Sequence, residues 1–149
     1  MKKLLLQNQL CFPLYALSRQ LTALYRPMLE KLELTYPQYL VMLVLWEADT
    51  KTVGELGAKL LLDSGTLTPL LKRLEQKKLI TRQRNPADER QVTILLTEAG
   101  RNLRELAADI PTQLQASLHM DDQQAVNLQQ QLVTLLYQIS QTTTTDYNQ

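Results

Sequence analysis

The sequence predicts a mainly α-helical fold with one small β-hairpin, and three observations predict it. Two short runs, Ile80-Thr81-Arg82-Gln83-Arg84 and Gln91-Val92-Thr93-Ile94-Leu95-Leu96, read as strands around a turn-rich tip, Asn85-Pro86-Ala87-Asp88-Glu89-Arg90. Just before them, Leu67, Leu70, Leu71 and Leu74 fall on one side of a helix at the 3,4 spacing. Both ends of the chain carry long apolar stripes at helical spacing.

The first helix is traced by Leu10, Leu14, Leu17, Leu21, Leu24, Met28 and Leu32. Proline is tolerated in a first turn, so Pro13 sets Cys11 at the start of that helix. The second helix, Pro37 to Ala48, is apolar almost all round from Tyr39 to Trp46 and belongs in the core. Thr52-Val53-Gly54-Glu55 has the spacing of a capping box and opens a short helix from Val53 to Leu60, which breaks before Asp63. The helix carrying Leu67 to Leu74 then turns Ser64, Gly65, Thr66, Thr68, Pro69, Lys72 and Arg73 outward, without one carboxylate among them. If Asp63 caps it, Pro69 is interior and costs about 3 kcal/mol or more. If the cap lies nearer Thr66, Pro69 falls in the first turn and costs little.

After the hairpin, Thr97 caps a helix from Glu98 to Leu118 that is interrupted or restarts near Pro111. Ala125, Leu128, Leu132, Leu135, Leu136 and Ile139 trace the last helix, and from Ser140 to Thr145 the pattern is lost, so the tail is expected to fray. Repeats and linkers are absent from the sequence, which is read as one domain over 1–149.

Short helix, turn, basic helix and basic hairpin is the order of a winged helix-turn-helix. Short hydroxyls at the start of the helix and cations further along suit the major groove of double-stranded DNA, and the hairpin suits backbone or minor groove. The net charge of +1 hides a segregation. Residues 51–101 hold ten Lys/Arg against six Asp/Glu, net +4, and residues 102–149 hold one against five, net −4. A basic middle presents one face to phosphate. The end helices cannot bury their stripes on so small a winged core, so they are expected to pack together or on a second copy. A homodimer would read a palindromic operator.

Met1-Lys2-Lys3-Leu4-Leu5-Leu6 gives way to Gln7-Asn8-Gln9 too soon for a secretory signal, and no stretch is long enough to span a membrane. The single cysteine excludes an intrachain disulfide, and a cytoplasmic location is expected. His119, the only histidine, has no ligand partners nearby in sequence, so no metal or other cofactor is expected. Trp46 belongs in the core.

A lone cysteine on an apolar helix is ordinarily a small core residue. At a helix start, however, the positive end of the dipole favours the thiolate, which attacks a peroxide oxygen and becomes sulfenic acid. Tyrosine hydroxyls can donate hydrogen bonds to such a thiolate, and six tyrosines are available. Tyr25 and Tyr36 by themselves read more readily as amphipathic packing residues than as functional ones.

The end helices, the central winged unit, and Asp88-Glu89-Arg90 followed by Leu96-Thr97-Glu98-Ala99-Gly100 resemble the MarR family of dimeric transcription regulators, over about residues 8 to 140. Asn8-Gln9-Leu10-Cys11-Phe12, Leu34-Thr35-Tyr36-Pro37-Gln38-Tyr39-Leu40 and the stretch from Asp63 to Glu75 resemble its OhrR branch, repressors that sense organic hydroperoxides. The resemblance implies a winged helix-turn-helix at about 35–100 between dimerisation helices at about 8–32 and 101–142. It implies that the partner subunit's Tyr25 and the partner subunit's Tyr36 bond the Cys11 thiolate, with Tyr15 one turn away. It implies an Asp88–Arg90 pair that braces the wing while Arg90 enters the minor groove, and, because relatives carry proline at position 69, a late start or slight kink in the reading helix. Some members resolve the sulfenic acid with a second cysteine; here Ala116 stands about where it would be, and the chain resembles the one-cysteine subgroup. In that subgroup a low-molecular-weight thiol, a backbone nitrogen or further oxidation must trap the sulfenic acid.

The expected function is a non-enzymatic, redox-controlled repressor. Lys72, Arg73, Lys77, Lys78, Arg82 and Arg84 are the candidates for phosphates, Ser64, Thr66 and Thr68 for base edges, with Gly65 and Pro69 on the same face. Two alternatives stand beside it. One is a MarR-type regulator controlled by a small phenolic or other ligand, with Cys11 inert; the other is a one-cysteine thiol peroxidase.

Overall fold

A computed structural model describes the backbone of residues 2–85 and 88–146, and the side chains of residues 2–84 and 91–141. Two single 3-10 turns, Lys2–Leu4 and Leu6–Asn8, precede α1 (Cys11–Glu30) and α2 (Tyr36–Glu47). There follow β1 (Thr50–Thr52), α3 (Val53–Leu60), α4 (Ser64–Gln76), β2 (Ile80–Asn85) and β3 (Asp88–Leu96). The chain continues through α5 (Glu98–Ala107), α6 (Ile110–Leu118) and α7 (Asp122–Asp146). It divides into two compact units, residues 1–110 and 111–149.

The first unit is built around α2. Thr35 and Gln38 close a capping box at its start, and Tyr39, Val41, Met42, Val44, Leu45 and Trp46 are all buried. The apolar stripes of α3 and α4 meet it through Leu56, Leu67, Leu71 and Leu74. The strands form one antiparallel sheet in the order β1-β3-β2. Ile80 pairs with Leu96 and Arg82 with Ile94, so the residues sharing one side of the hairpin include the buried Ile80, Ile94 and Leu96.

Between α3 and α4 the chain turns sharply. Leu61 is left-handed (φ 55°), and both Leu61 and Leu62 donate their N–H to the Gly57 carbonyl. A Cβ on Gly57 would lie 2.8 Å from the Leu62 carbonyl oxygen, so only glycine lets the turn close this tightly.

Several expectations need correction. The strands reach further into the tip than the turn signals suggested: β2 runs to Asn85 and β3 starts at Asp88, with a register shift after Arg84. Strand β1 was not foreseen; Thr50–Thr52 is too short for an alternating pattern and forms because β3 offers it a free edge. The 98–118 helix, by contrast, is interrupted as expected: it breaks at Ala108–Asp109 and restarts with Pro111 in the first turn of α6. In the second unit, α7 continues through the threonine run to Asp146, where fraying was expected.

The first helix keeps much of its stripe in the open. Leu10 is 71% exposed, Leu17 41% and Leu24 37%, whereas Leu29 and Leu32 at its far end are buried. Within α7, Val126, Leu128, Leu132, Val133 and Leu136 are exposed.

Candidate DNA-reading face and thiol site

The candidate reading helix, α4, starts at its cap. Asp63 Oδ1 accepts the Thr66 N–H at 2.8 Å, and Oδ2 accepts the Thr66 hydroxyl at 2.9 Å. These bonds, the backbone one foremost, hold the Asp63 carboxyl below the usual carboxylate range. The Thr68 hydroxyl donates to the Ser64 carbonyl at 2.7 Å. Ser64, Gly65, Thr66, Thr68, Pro69, Lys72 and Arg73 are all exposed, opposite the buried Leu67, Leu71 and Leu74.

Of the two expectations, a late start or a slight kink, the late start is therefore corrected. The cap is Asp63, and Pro69 is the sixth residue of α4, inside the helix. Proline has no N–H to donate to the Gly65 carbonyl four residues back. The doubly bonded cap and the buried leucine stripe outweigh that local cost.

The candidate cations are not equivalent. Arg82 Nε and Nη2 donate to Glu75 Oε2 at 2.8 and 2.5 Å, and this partner holds the Glu75 carboxyl below its ordinary range. Lys77, the C-cap of α4, donates its ammonium to the Glu33 carbonyl in the loop after α1. Lys78 is left-handed (φ 60°), and its carbonyl accepts the Thr97 hydroxyl at 2.6 Å. Lys72, Arg73 and Arg84 are exposed. The Asp88 and Arg90 side chains lie outside the described residues.

Sequence reasoning missed the engagement of Arg82 and Lys77. For Arg82 a signal existed: strand parity places it on the same side of the hairpin as Ile80. Nothing in the sequence marks the Lys77 contact, which spans 44 positions.

Cys11 is the first residue of α1, and its thiol is free and exposed. Tyr15, one turn on, is also exposed; Arg19 donates to its hydroxyl at 3.4 Å and lies 5.6 Å from its ring centroid. Tyr25 and Tyr36 form a half-buried pair with ring centroids 4.7 Å apart. Tyr39 joins it at 5.9 Å and meets Trp46 edge-on at 6.2 Å. Trp46 donates to the Gly100 carbonyl at 2.8 Å, so an aromatic row ties α1 and α2 to α5.

Burial, then the neighbouring Tyr36 and Tyr39, pushes the Tyr25 hydroxyl up to about 12, and burial raises Tyr36 as well. Both stay protonated at neutral pH, which is what a hydrogen-bond donor to a thiolate requires. They do not reach Cys11 within one chain. Fourteen residues of helix separate Cys11 from Tyr25, about 21 Å at 1.5 Å per residue.

No helix among the described residues is long and apolar enough to cross a membrane. A cleft of about 680 Å³ opens between the start of α3, α4 and the hairpin, lined by Thr52, Val53, Thr68, Leu71, Arg82 and Val92 among others.

Residues 23–106 match the family model of the transcriptional regulator SarA/Rot. The organic hydroperoxide resistance transcriptional regulator of Bacillus subtilis is 52% identical over 136 residues, which covers 91% of this chain and 92% of that protein. The chain is a winged helix-turn-helix transcriptional regulator of the MarR/SarA type.

Solved structures agree on the fold of this regulator. Reduced AbfR of Staphylococcus epidermidis bound to DNA has a TM-score of 0.74 at 38% identity, covering 90% of this chain and 94% of that one. Overoxidised AbfR, also bound to DNA, has a TM-score of 0.73 at 38% identity and the same coverage. MarR from E. coli, solved as a cysteine-to-serine mutant, reaches 0.62 at 26% identity, covering 86% of this chain and 96% of that one. The exposed face of α4 and the β2–β3 hairpin are the elements by which a winged helix binds DNA.

Proposed function

We propose that this regulator is a homodimeric repressor released from a palindromic operator when an organic hydroperoxide oxidises Cys11. The observation that carries the proposal is the placement of Cys11: the chain's only cysteine, exposed in the first turn of α1, about 21 Å from the tyrosine pair. Two copies related by a two-fold axis bring the thiol of one to the Tyr25–Tyr36 pair of the other, and cover the exposed apolar residues of α1 and α7. The 52% identity to a regulator of organic hydroperoxide resistance supports the same reading.

The chemistry runs in two steps. The Cys11 thiolate attacks the terminal peroxide oxygen, the O–O bond breaks, and the alkoxide leaves as the alcohol, so that Cys11 becomes sulfenic acid. A low-molecular-weight thiol then attacks that sulfur and expels hydroxide, which leaves as water, to give a mixed disulfide. The second step matters because it adds volume at a subunit contact. AbfR is solved on DNA in its overoxidised form, so in that relative overoxidation is compatible with DNA binding. Bulk at Cys11 shifts α1 of one copy against the partner's Tyr36, at the start of the helix on which α4 packs, and the two reading helices leave register.

On the operator, Ser64, Thr66 and Thr68 approach base edges, Gly65 and Pro69 line the same face, and Lys72, Arg73, Lys78 and Arg84 approach phosphates. Asp88 and Arg90 are assigned to the wing tip in the minor groove. The cleft beside Thr68 favours one alternative, a small ligand that displaces DNA with Cys11 inert.

Fluorescence anisotropy of an operator duplex tests the proposal, with wild type and Cys11→Ser titrated with an organic hydroperoxide, with and without a small thiol. Release of wild type alone, and only with thiol, is expected. If both proteins remain bound or both dissociate, Cys11 is not the sensor and the small-ligand reading replaces it.

A further inference from the structure

The Glu75–Arg82 contact joins the two parts of the molecule that reach DNA. Glu75 lies in the last turn of α4, and Arg82 is the third residue of β2. Two guanidinium nitrogens, Nε and Nη2, converge on the single oxygen Oε2 at 2.8 and 2.5 Å. Neither side chain is fully open to water: Arg82 is 34% and Glu75 36% exposed. Arg82 pairs across the hairpin with Ile94, which is buried, so its stem leaves the core-facing side of the sheet and its head meets the helix. A charge so held is poorly placed to leave for a phosphate.

Below the clasp, Leu74, Ile80 and Ile94 are buried and give the hairpin a hydrophobic seat. Apolar contact is non-directional and leaves the hairpin free to pivot. A forked, charge-assisted bond is directional and removes that freedom. The angle between α4 and the hairpin sets whether groove reading by the helix and contact by the wing can occur together on one half-site.

We infer that Glu75 and Arg82 are positioning residues: their clasp fixes the hairpin against the reading helix, and operator affinity depends on the pair rather than on Arg82 touching phosphate. The inference needs only the DNA-binding role and is independent of Cys11 chemistry.

The two roles predict opposite signs for one substitution. Glu75→Gln removes a negative charge near DNA and frees Arg82. If Arg82 is a phosphate ligand, affinity rises. If the clasp positions the hairpin, affinity falls in spite of the better charge balance.

The probe is a duplex recovered by binding-site selection with wild-type protein, beside a scrambled duplex of equal length. Glu75→Gln and Arg82→Met are each expected to weaken selected-site binding about 3- to 10-fold, the range of a lost charge-assisted pair. The double variant should be no weaker than either single one, because the two changes break one interaction. Binding to the scrambled duplex and the slope of log K against log salt should stay at wild-type values.

Arg82→Lys keeps the charge and loses the fork, so it should weaken selected-site binding too; it also replaces Arg82→Met should that variant fail to melt cooperatively. Tighter or unchanged binding by Glu75→Gln overturns the inference. So does a salt slope shallower by about 0.9 per chain in an Arg82 variant, the mark of one lost phosphate contact.

Discussion

Pro69→Ala should make this regulator more stable and a poorer binder of its operator. In α4, Pro69 is the sixth helical residue, and its missing N–H faces the Gly65 carbonyl. Alanine restores that hydrogen bond and removes the clash of the ring with the same carbonyl. Proline and alanine differ by about 3 kcal/mol in a helix interior. Against this, proline restricts the unfolded chain, and losing that restriction returns roughly 0.4–1 kcal/mol to the unfolded state. The net gain is about 2 kcal/mol, a rise in Tm of several degrees for a chain of this length.

The same change lets the first turn tighten through the restored bond to the Gly65 carbonyl. Ser64, Gly65 and Thr66 then move relative to Lys72 and Arg73, which lie on the same exposed face beyond the proline. Misplacing one base contact costs about 1–3 kcal/mol, so operator affinity should fall roughly tenfold or more. Differential scanning calorimetry and anisotropy on one preparation read both quantities. An unchanged or lower Tm would refute the reasoning, because it would mean that residues 64–68 are not in the same helix as Leu70 to Gln76.

Two other expectations test the frame that carries α4. In Gly100→Ala the new Cβ would stand 2.1 Å from the Leu79 carbonyl, in the connection leaving α4, so overpacking should cost about 1–3 kcal/mol and show as a lower urea midpoint. The Tyr25 hydroxyl is pushed up to about 12, so the folded state holds its proton where the unfolded state loses it. Stability from this group is complete below about pH 10, the unfolded value, and is lost as pH climbs toward 12. Urea melts at rising alkaline pH should show that decline, and Tyr25→Phe should flatten it.

What could be read from the sequence depended on how local the determining interaction is. Helix α3 was legible to the residue because Thr52 and Glu55 satisfy each other's backbone at one turn's distance. Helix α2 was legible because an unbroken apolar run has only the core to go to. The start of α4 was ambiguous because two local rules conflict there, a good cap at Asp63 and a proline six residues later. Tertiary burial of Leu67, Leu71 and Leu74 decides between them. Pro27, inside α1, escaped notice for a similar reason: it lies one residue before Met28 and two before Leu29, where the helix packs on the core. The thiol site was legible only as separated pieces, Cys11 at one end of α1 and Tyr25 near the other, and the proposed site needs a second copy to join them.

The charge pattern shows the same limit, and it bears on salt dependence. Composition counts six candidate phosphate ligands between Lys72 and Arg84 as equals. The structure separates them: Arg82 is anchored on Glu75, Lys77 on the Glu33 carbonyl, and both contacts hold the C-terminal end of α4 in place. Four remain per chain, about eight in the proposed dimer, against twelve if all six candidates engaged. At about 0.9 per phosphate contact the expected slope of log K against log salt is roughly −7 rather than −11. Between about 50 and 200 mM salt that is a loss of roughly 10⁴-fold instead of more than 10⁶-fold, a difference that a single anisotropy series resolves. A slope near −11 would mean that Arg82 and Lys77 leave their protein partners on binding, and that the rigid end of the reading helix yields to DNA.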